Sequence, residues 1–381
     1  MADEFVPQDE ILHLAALEFR ARRTGATADA DTLRALIVER NALPLYVKVA
    51  AELGWQEDEE MKARLQKQID ARLAELEEKL KDASENLGES EVRDALEKRA
   101  EFLTQILDKE RAVAATEKAI KASVGSGQKL DLVFSMIRLA LALKDFKMCH
   151  EQIEVAKEMI EKGGDWERRN RLKVYEATYN MSCRDMQGAS KLFLEALATF
   201  SASEVYPFRD FVQYAVLTSM FCVDRPTLKQ KVAAAPEVLS VLFEMPLLET
   251  FLNALVQCDY KAYMACLPEI LELVHNDYFF GVHMNFIGRE LRITAYAQFL
   301  ASYQSVTMQA MSAAFGIGID FLDEELSRFI VAGRLNCKID RVGGVVHTVR
   351  PDARNGIYNS TIKHGDLLLN RIQKLSRVID V

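Results

Sequence analysis

Between residues 285 and 350 the spacing of apolar side chains changes once, from a period near 3.6 to a period of 2, and no single-class fold accommodates both. Over 287–300 the apolar positions are Ile287, Leu291, Ala295, Phe299 and Leu300, which share one helical face. Ser305 reads as the N-cap of a second helix with Val306, Ala310, Met311, Ala314 and Phe315 inward, broken by Gly316 and Gly318. Asp320 reads as the cap of a third. Asp323 and Glu324 lie in its first turn, where the helix dipole favours negative charge, and Phe321, Leu322, Leu326, Phe329 and Ile330 face inward. Gly333 follows where a helix end needs positive φ.

The period then becomes 2. Leu335, Cys337 and Ile339 alternate with Asn336, Lys338 and Asp340, as in a half-buried strand. Gly343 and Gly344 suit a tight turn, residues 345–349 return as a second strand, and Pro351 stops it. Three helices and a two-stranded hairpin outline a winged-helix unit. Such a unit raises the question of nucleic acid. Residues 326–381 hold ten Lys or Arg against four Asp or Glu, an excess of six in a chain whose net charge is −9, so 1–325 sum to −15. The third helix nevertheless opens with Asp320, Asp323, Glu324 and Glu325, and four carboxylates in that turn would repel a phosphate backbone. Nucleic acid is not the expected partner.

Gly and Pro together number 25 of 381, about half the usual share, so obligatory helix breaks are few. The start, Met1-Ala2-Asp3-Glu4, has no apolar leader, and no apolar run reaches membrane-spanning length. A cytoplasmic and nuclear location follows, with no membrane partner. The six cysteines form no C-x-x-C pair, Cys149-His150 has no zinc-like spacing to other ligands, and His275 and His283 lack a metal motif. Phosphate loops, dinucleotide fingerprints and nucleophile elbows are absent, so neither catalysis, cofactor nor metal is expected.

Upstream, three turns share an Asp followed by an apolar residue: Lys144-Asp145-Phe146, Arg184-Asp185-Met186 and Cys258-Asp259-Tyr260. After Met186, Ala189, Phe193, Ala196 and Leu197 follow at the offsets of the second helix of a TPR-like hairpin. Cys149, Ile153 and Ala156 match after Phe146; Tyr263, Leu267 and Ile270 match less closely after Tyr260. The units are 40 and 74 residues apart, an irregular repeat that predicts stacked helical hairpins. Earlier still, Glu57, Asp58, Glu59 and Glu60 precede a long charged helix with a stripe of Leu65, Ile69, Leu73, Leu76 and Leu80. Asn86, Gly88 and Ser90 mark one break, and the SVGSG segment at 123–127 marks another.

Residues 357–379 read as one helix. Ile357, Leu368, Ile372, Leu375 and Ile379 share a side, Leu367 and Leu369 widen it, and Lys363, Arg371, Lys374 and Arg377 form a solvated flank. This helix either straps back on its own chain or joins a bundle with partner helices.

The expected fold is mainly α: a TPR-like helical-repeat solenoid capped by a C-terminal winged helix and a long C-terminal helix. The expected segments are 1–125 (N-terminal helices), 126–285 (repeats), 286–351 (winged helix) and 352–381 (assembly helix). Helical repeats ending in a winged helix resemble the PCI family, found in the proteasome lid, the COP9 signalosome and translation initiation factor 3. The resemblance is carried by Ala314-Phe315-Gly316, FLDEELSRFIVAGRLNCKID at 321–340, GDLLLNRIQKLSRVI at 365–379, GRELRITAYAQFLASYQSVT at 288–307 and LALKDFKMCHEQIEVAKEMI at 141–160. These blocks are most similar to a proteasome-lid member. The resemblance implies a scaffold whose partners are other PCI subunits of the lid, with ATPase-ring subunits as further neighbours. It implies that winged helices line up edge to edge and C-terminal helices gather in a bundle. In that family the deubiquitinating subunit carries an H-x-H motif, which is missing here. The interface residues expected are Lys338, Asp340 and Arg341 on the wing, and Leu367, Leu368, Ile372, Leu375 and Ile379 on the helix. The signalosome and the RNA-associated initiation factor are the alternative assemblies.

Overall fold

A computed structural model describes residues 9–25, 27–53, 55, 59–86, 88–349 and 353–379. Met1–Glu4, Glu57, Asp58 and Pro351, used above, lie outside these. The chain forms two units, Met1–Leu291 and Arg292–Val381. Among the described residues it is mainly α-helical with one small sheet.

In the first unit the Asp-containing turns prove to be one device. Each helix ends in a left-handed residue followed by Asp: Lys144 (φ 55°), Arg184 (φ 70°) and Cys258 (φ 66°). The Asp backbone N–H donates five residues back, Asp145 to Ala140, Asp185 to Asn180 and Asp259 to Ala254. Its carboxylate then accepts from the third residue of the next helix, at 3.1 Å from Met148, Gly188 and Ala262. One residue thus closes a Schellman turn and caps the following helix. Leu107 (φ 60°) and Asp108 form a fourth copy, which the sequence pattern passed over because Lys109, not an apolar residue, follows. The interval of 74 residues is filled by Asp224, which stands at a helix N-cap without a side-chain capping bond. A short helix Arg225–Leu228 and a π-helical turn Lys229–Ala233 follow it, so one repeat is distorted.

The packing positions behave as the offsets predict. Cys149, Ala189 and Tyr263 are each 0 % exposed. The larger Tyr263 is accommodated by stacking on Phe251 at 4.3 Å and by donating its hydroxyl to the Leu291 carbonyl. In the long helix Glu59–Asn86, Leu65, Ile69 and Leu76 are buried, while Leu73 and Leu80 are half-buried.

Two buried polar clusters lie outside anything the periodicity shows. Glu204 accepts from Arg171 and from the Tyr175 hydroxyl, and Arg138 donates to Tyr175 and to Asp9 at the start of the first described helix, Glu10–Thr24. Asp277 is the second. Its carboxylate accepts from Tyr214 Oη at 2.5 Å and from the Phe279 and Phe280 amides at 2.9 and 2.7 Å. Burial pushes its pKa from the usual 3.8 up to about 6, partly offset by those hydrogen bonds and reinforced by the nearby Asp210.

Between those two pH values the folded chain keeps a proton that the unfolded chain has lost. The contribution of Asp277 to stability therefore falls as pH rises from 3.8 to about 6. The cost above that window is at most about 3 kcal/mol. Asp277→Asn retains an acceptor for both amides and can donate to Tyr214. Urea unfolding at pH 5 and pH 7 is expected to show a smaller stability difference in the variant than in the parent, by about 1–2 kcal/mol. Equal differences would assign the pH dependence elsewhere.

In the second unit, three strands are present where the sequence suggested two. β1 (Ser305–Thr307), β2 (Cys337–Asp340) and β3 (Val345–Thr348) form an antiparallel sheet in the order β1-β3-β2, with Val306, Val346 and Ile339 in register. Ser305 and Val306 are therefore strand, not helix start. Thr307 caps the helix Met308–Phe315, whose buried residues are Met308, Met311 and Phe315 rather than Ala310. Gly318, not Asp320, is the cap of the helix Ile319–Val331. Leu322, Leu326 and Phe329 are buried there as expected, but Phe321 is 50 % exposed and Glu325 takes a core position. Glu325 is compensated: Arg292 donates to it at 2.8 Å and Tyr296 Oη at 2.9 Å. Burial, together with that carboxylate, raises the Tyr296 pKa. The turns behave as read, with Gly316, Gly333 and Gly344 at φ 68°, 69° and 63°.

Candidate assembly surface

Two surfaces of the second unit contain the expected interface residues. The first is the outer edge of the wing. β3 is the central strand, so β2 presents one unpaired backbone edge, and Lys338 is exposed on it. Asp340 and Arg341 are exposed too, yet both are engaged locally. Asp340 Oδ1 accepts from the Val342 and Gly343 amides at 3.0 and 3.1 Å and shapes the turn, while Arg341 pairs with Asp323 at 2.5 Å. Of the three, Lys338 has the side chain least tied to its own chain.

The third helix has no free cationic face. Arg328, in its last turn, pairs with Glu324 at 3.1 Å, and Arg341 of the wing is held by Asp323, so both cations are balanced by the helix's own acids. Ile319, Phe321 and Val331 are exposed on this helix and Val342 at the wing tip, an apolar surface that sequence reasoning assigned partly to the core. Phe321 and Leu322 are adjacent, about 100° apart on the helix, and Leu322 is the one that turns to the core.

The second surface is the helix Ala353–Ile379. Every described side chain from 355 to 379 is exposed. Leu367 and Leu368 are each 59 % exposed, Ile372 55 %, Leu375 61 % and Ile379 72 %. At about 100° per residue, Ile357, Leu368, Ile372, Leu375 and Ile379 fall within about 60° of one another. Tyr358, Ile362 and Leu369 extend the apolar surface on one side to an arc of about 140°, while Leu367 and Val378 lie on the other side beyond His364 and Arg371. Lys363, Asn370, Lys374 and Arg377 occupy the remainder.

Among the described residues no group of three or more His, Cys, Asp or Glu is arranged to hold a metal ion, and no helix is long and apolar enough to cross a membrane.

Comparison with known proteins places these elements in a family. Residues 58–231 match the family model described as 26S proteasome subunit RPN7, and residues 267–350 match the PCI domain. Residues 358–379 match the C-terminal helix of 26S proteasome regulatory subunit RPN7/PSMD6. The 26S proteasome non-ATPase regulatory subunit 6 of Dictyostelium discoideum is 42 % identical over 382 residues, covering 100 % of both chains. The Arabidopsis thaliana homolog of that subunit is 47 % identical over 338 residues, 89 % of this chain and 87 % of its own. COP9 signalosome complex subunit 1b of Drosophila melanogaster is 24 % identical over 152 residues, 40 % of this chain and 29 % of its own.

Proposed function

The chain belongs to the RPN7 family of 26S proteasome regulatory subunits, and from that premise we propose that its C-terminal helix and wing edge are the surfaces through which it joins the regulatory lid. It is a non-catalytic lid subunit whose partners are other proteasome subunits.

The observation that carries the reading is the helix Ala353–Ile379, exposed throughout its described side chains with an apolar arc of about 140°. A two-stranded coiled coil covers only a narrow a/d seam. An arc of this width exceeds that seam, so the fitting environment is a multi-helix bundle supplied by PCI partners. Leu368, Ile372, Leu375 and Ile379 are its central contacts, with Leu367 on the flank. The four-part division at 125, 285 and 351 follows the same logic, with repeats and N-terminal helices reaching neighbours and the last two segments directing assembly. The ATPase ring is a further neighbour within this reading, and the cytoplasm and nucleus are its location. The balanced charges of Arg328 and Arg341 speak against a nucleic-acid role.

Affinity purification of the tagged full chain with mass spectrometry tests the proposal. Stoichiometric recovery of lid subunits supports it, whereas recovery of signalosome subunits or ribosomal proteins in their place overturns it.

The wing makes a separate prediction. Lys338→Glu reverses a charge on the outer strand without touching the turn bonds of Asp340 or the Arg341–Asp323 pair. It is expected to weaken incorporation about fivefold, the scale of a rim charge, and to leave the circular dichroism of the isolated chain unchanged. Incorporation equal to the parent's would make this strand face ordinary surface.

A further inference from the structure

We propose that the helix Glu10–Thr24 acts as a clasp, joining the first helical repeat to the fourth through Phe19 and so limiting how far the stack of repeats can open. The first repeat is the helix pair Ser126–Ala142 and Phe146–Glu161, and the fourth is the pair Pro246–Gln257 and Tyr260–Asn276. Stacked hairpins pack on their neighbours, so the spacing of the outer repeats sums many small rotations and is the softest dimension of the stack. A direct junction between the ends stiffens it.

Three elements meet at that junction. Lys144, in the turn of the first repeat, holds Nζ 4.5 Å from the Phe19 ring centre and 4.6 Å from that of Tyr278, just beyond the fourth repeat. The two rings meet edge to face, 5.9 Å between centres. Tyr278 Oη donates to the carbonyls of Leu141 and Ala142, both at 3.0 Å, in the last turn of the helix Ser126–Ala142. Phe19 is the one aromatic residue of its helix, and Gly281 makes room for it: a Cβ there would stand 2.6 Å from the ring.

The clasp helix is also held at both ends. Its N-cap Asp9 accepts from Arg138 of the first repeat. Arg23, in its last turn, donates to His275 Nδ1 at 2.8 Å, in the last turn of the fourth repeat. Between those contacts Ile11, Leu12, Leu14, Ala15, Leu17 and Ala21 are buried. For a scaffold, the consequence is that the first and fourth repeats present their outer surfaces to neighbours at one fixed spacing. The clasp works in the isolated chain, whatever complex those neighbours form.

The test is hydrogen–deuterium exchange of the full chain carrying Phe19→Ala, read by peptide mass spectrometry against the parent. That change empties the junction and leaves the buried apolar residues and both end contacts of the helix in place. Residues 137–145 and 270–283 are expected to exchange at least about tenfold faster, and to do so together, while the second-repeat helix Met186–Ala196 keeps the parental rate. Phe19→Leu, which retains an apolar side chain at the junction, is expected to give the same pattern at smaller amplitude, and it decides the question if Phe19→Ala does not fold. Unchanged exchange, or a rise confined to residues 10–24, would overturn the proposal, because the helix would then be a passenger on the stack. An equal rise in every helix of the first unit would overturn it too, because the unit would then open as one body.

Discussion

Removal of residues 353–379 is expected to abolish recovery of the chain in the 26S complex while leaving the rest of it folded. Every described side chain from 355 to 379 is exposed, so their loss withdraws little buried surface from the remaining chain. In a bundle the balance is different. Covering Leu368, Ile372 and Leu375, now 59 %, 55 % and 61 % exposed, is worth roughly 5–8 kcal/mol in apolar transfer, before the cost of ordering the helix. A net loss of about 4 kcal/mol already weakens association about a thousandfold. A sharper version keeps the helix and changes its face: Leu368→Asp, Ile372→Asp and Leu375→Asp together, with Asn370→Asp on the opposite side as control. The triple variant is expected to behave as the deletion and the control as the parent, read by co-purification with lid subunits. Thermal unfolding of each isolated chain separates misfolding from failed assembly. Recovery of the triple variant at parental stoichiometry would show that this face is not an interface.

What could be read from the chain depended on how far apart the cooperating residues lie. The Asp turns were legible because a Schellman closure and an N-cap involve fewer than ten consecutive residues. Asp108 escaped only because the pattern demanded an apolar neighbour. The C-terminal helix was legible for the same reason, its stripe being a local period. Ser305 was misread because Ser followed by Val suits a helix start and a strand alike. The pairing of Val306 with Val346, forty residues on, decides between them. Glu325 was placed with the solvated acids since its partners, Arg292 and Tyr296, sit on another helix about thirty residues earlier. On the wing, the sequence identified exposed polar residues, but it could not show that Asp340 and Arg341 spend their hydrogen-bonding capacity on the turn and on Asp323.

Glu204 is the extreme case of that blindness, and its replacement is expected to be the most destabilising single change in the first unit. It lies in an irregular connection with no periodic signal, and it is only 9 % exposed. Its Oε1 accepts from Arg171 Nη2 at 2.5 Å, Arg171 Nε at 3.0 Å and Tyr175 Oη at 3.0 Å. Tyr175 in turn accepts from Arg138 Nη1 at 2.8 Å and stacks on Phe134 with ring centres 5.0 Å apart. Burial alone would lower the Arg138 pKa, but the oxygens of Tyr175 and Asp9 outweigh it and the net shift is upward. Glu204→Ala removes the one carboxylate bound to both Arg171 and Tyr175, leaving the fully buried Tyr175 hydroxyl without its acceptor. The Asp9 amide still reaches the residue 204 carbonyl, at 2.7 Å in the parent, because that bond is made by backbone. Breaking one side of such a buried network costs about 3–5 kcal/mol. Glu204→Gln keeps an acceptor for Tyr175 and loses only the charge, so about half of that loss is expected. Arg72→Ala, which breaks the exposed Arg72–Glu75 pair, is the reference and should cost under about 1 kcal/mol. Urea midpoints at a constant unfolding slope rank the three. If Glu204→Ala falls with Arg72→Ala rather than several kcal/mol below it, the Glu204 carboxylate is replaceable packing.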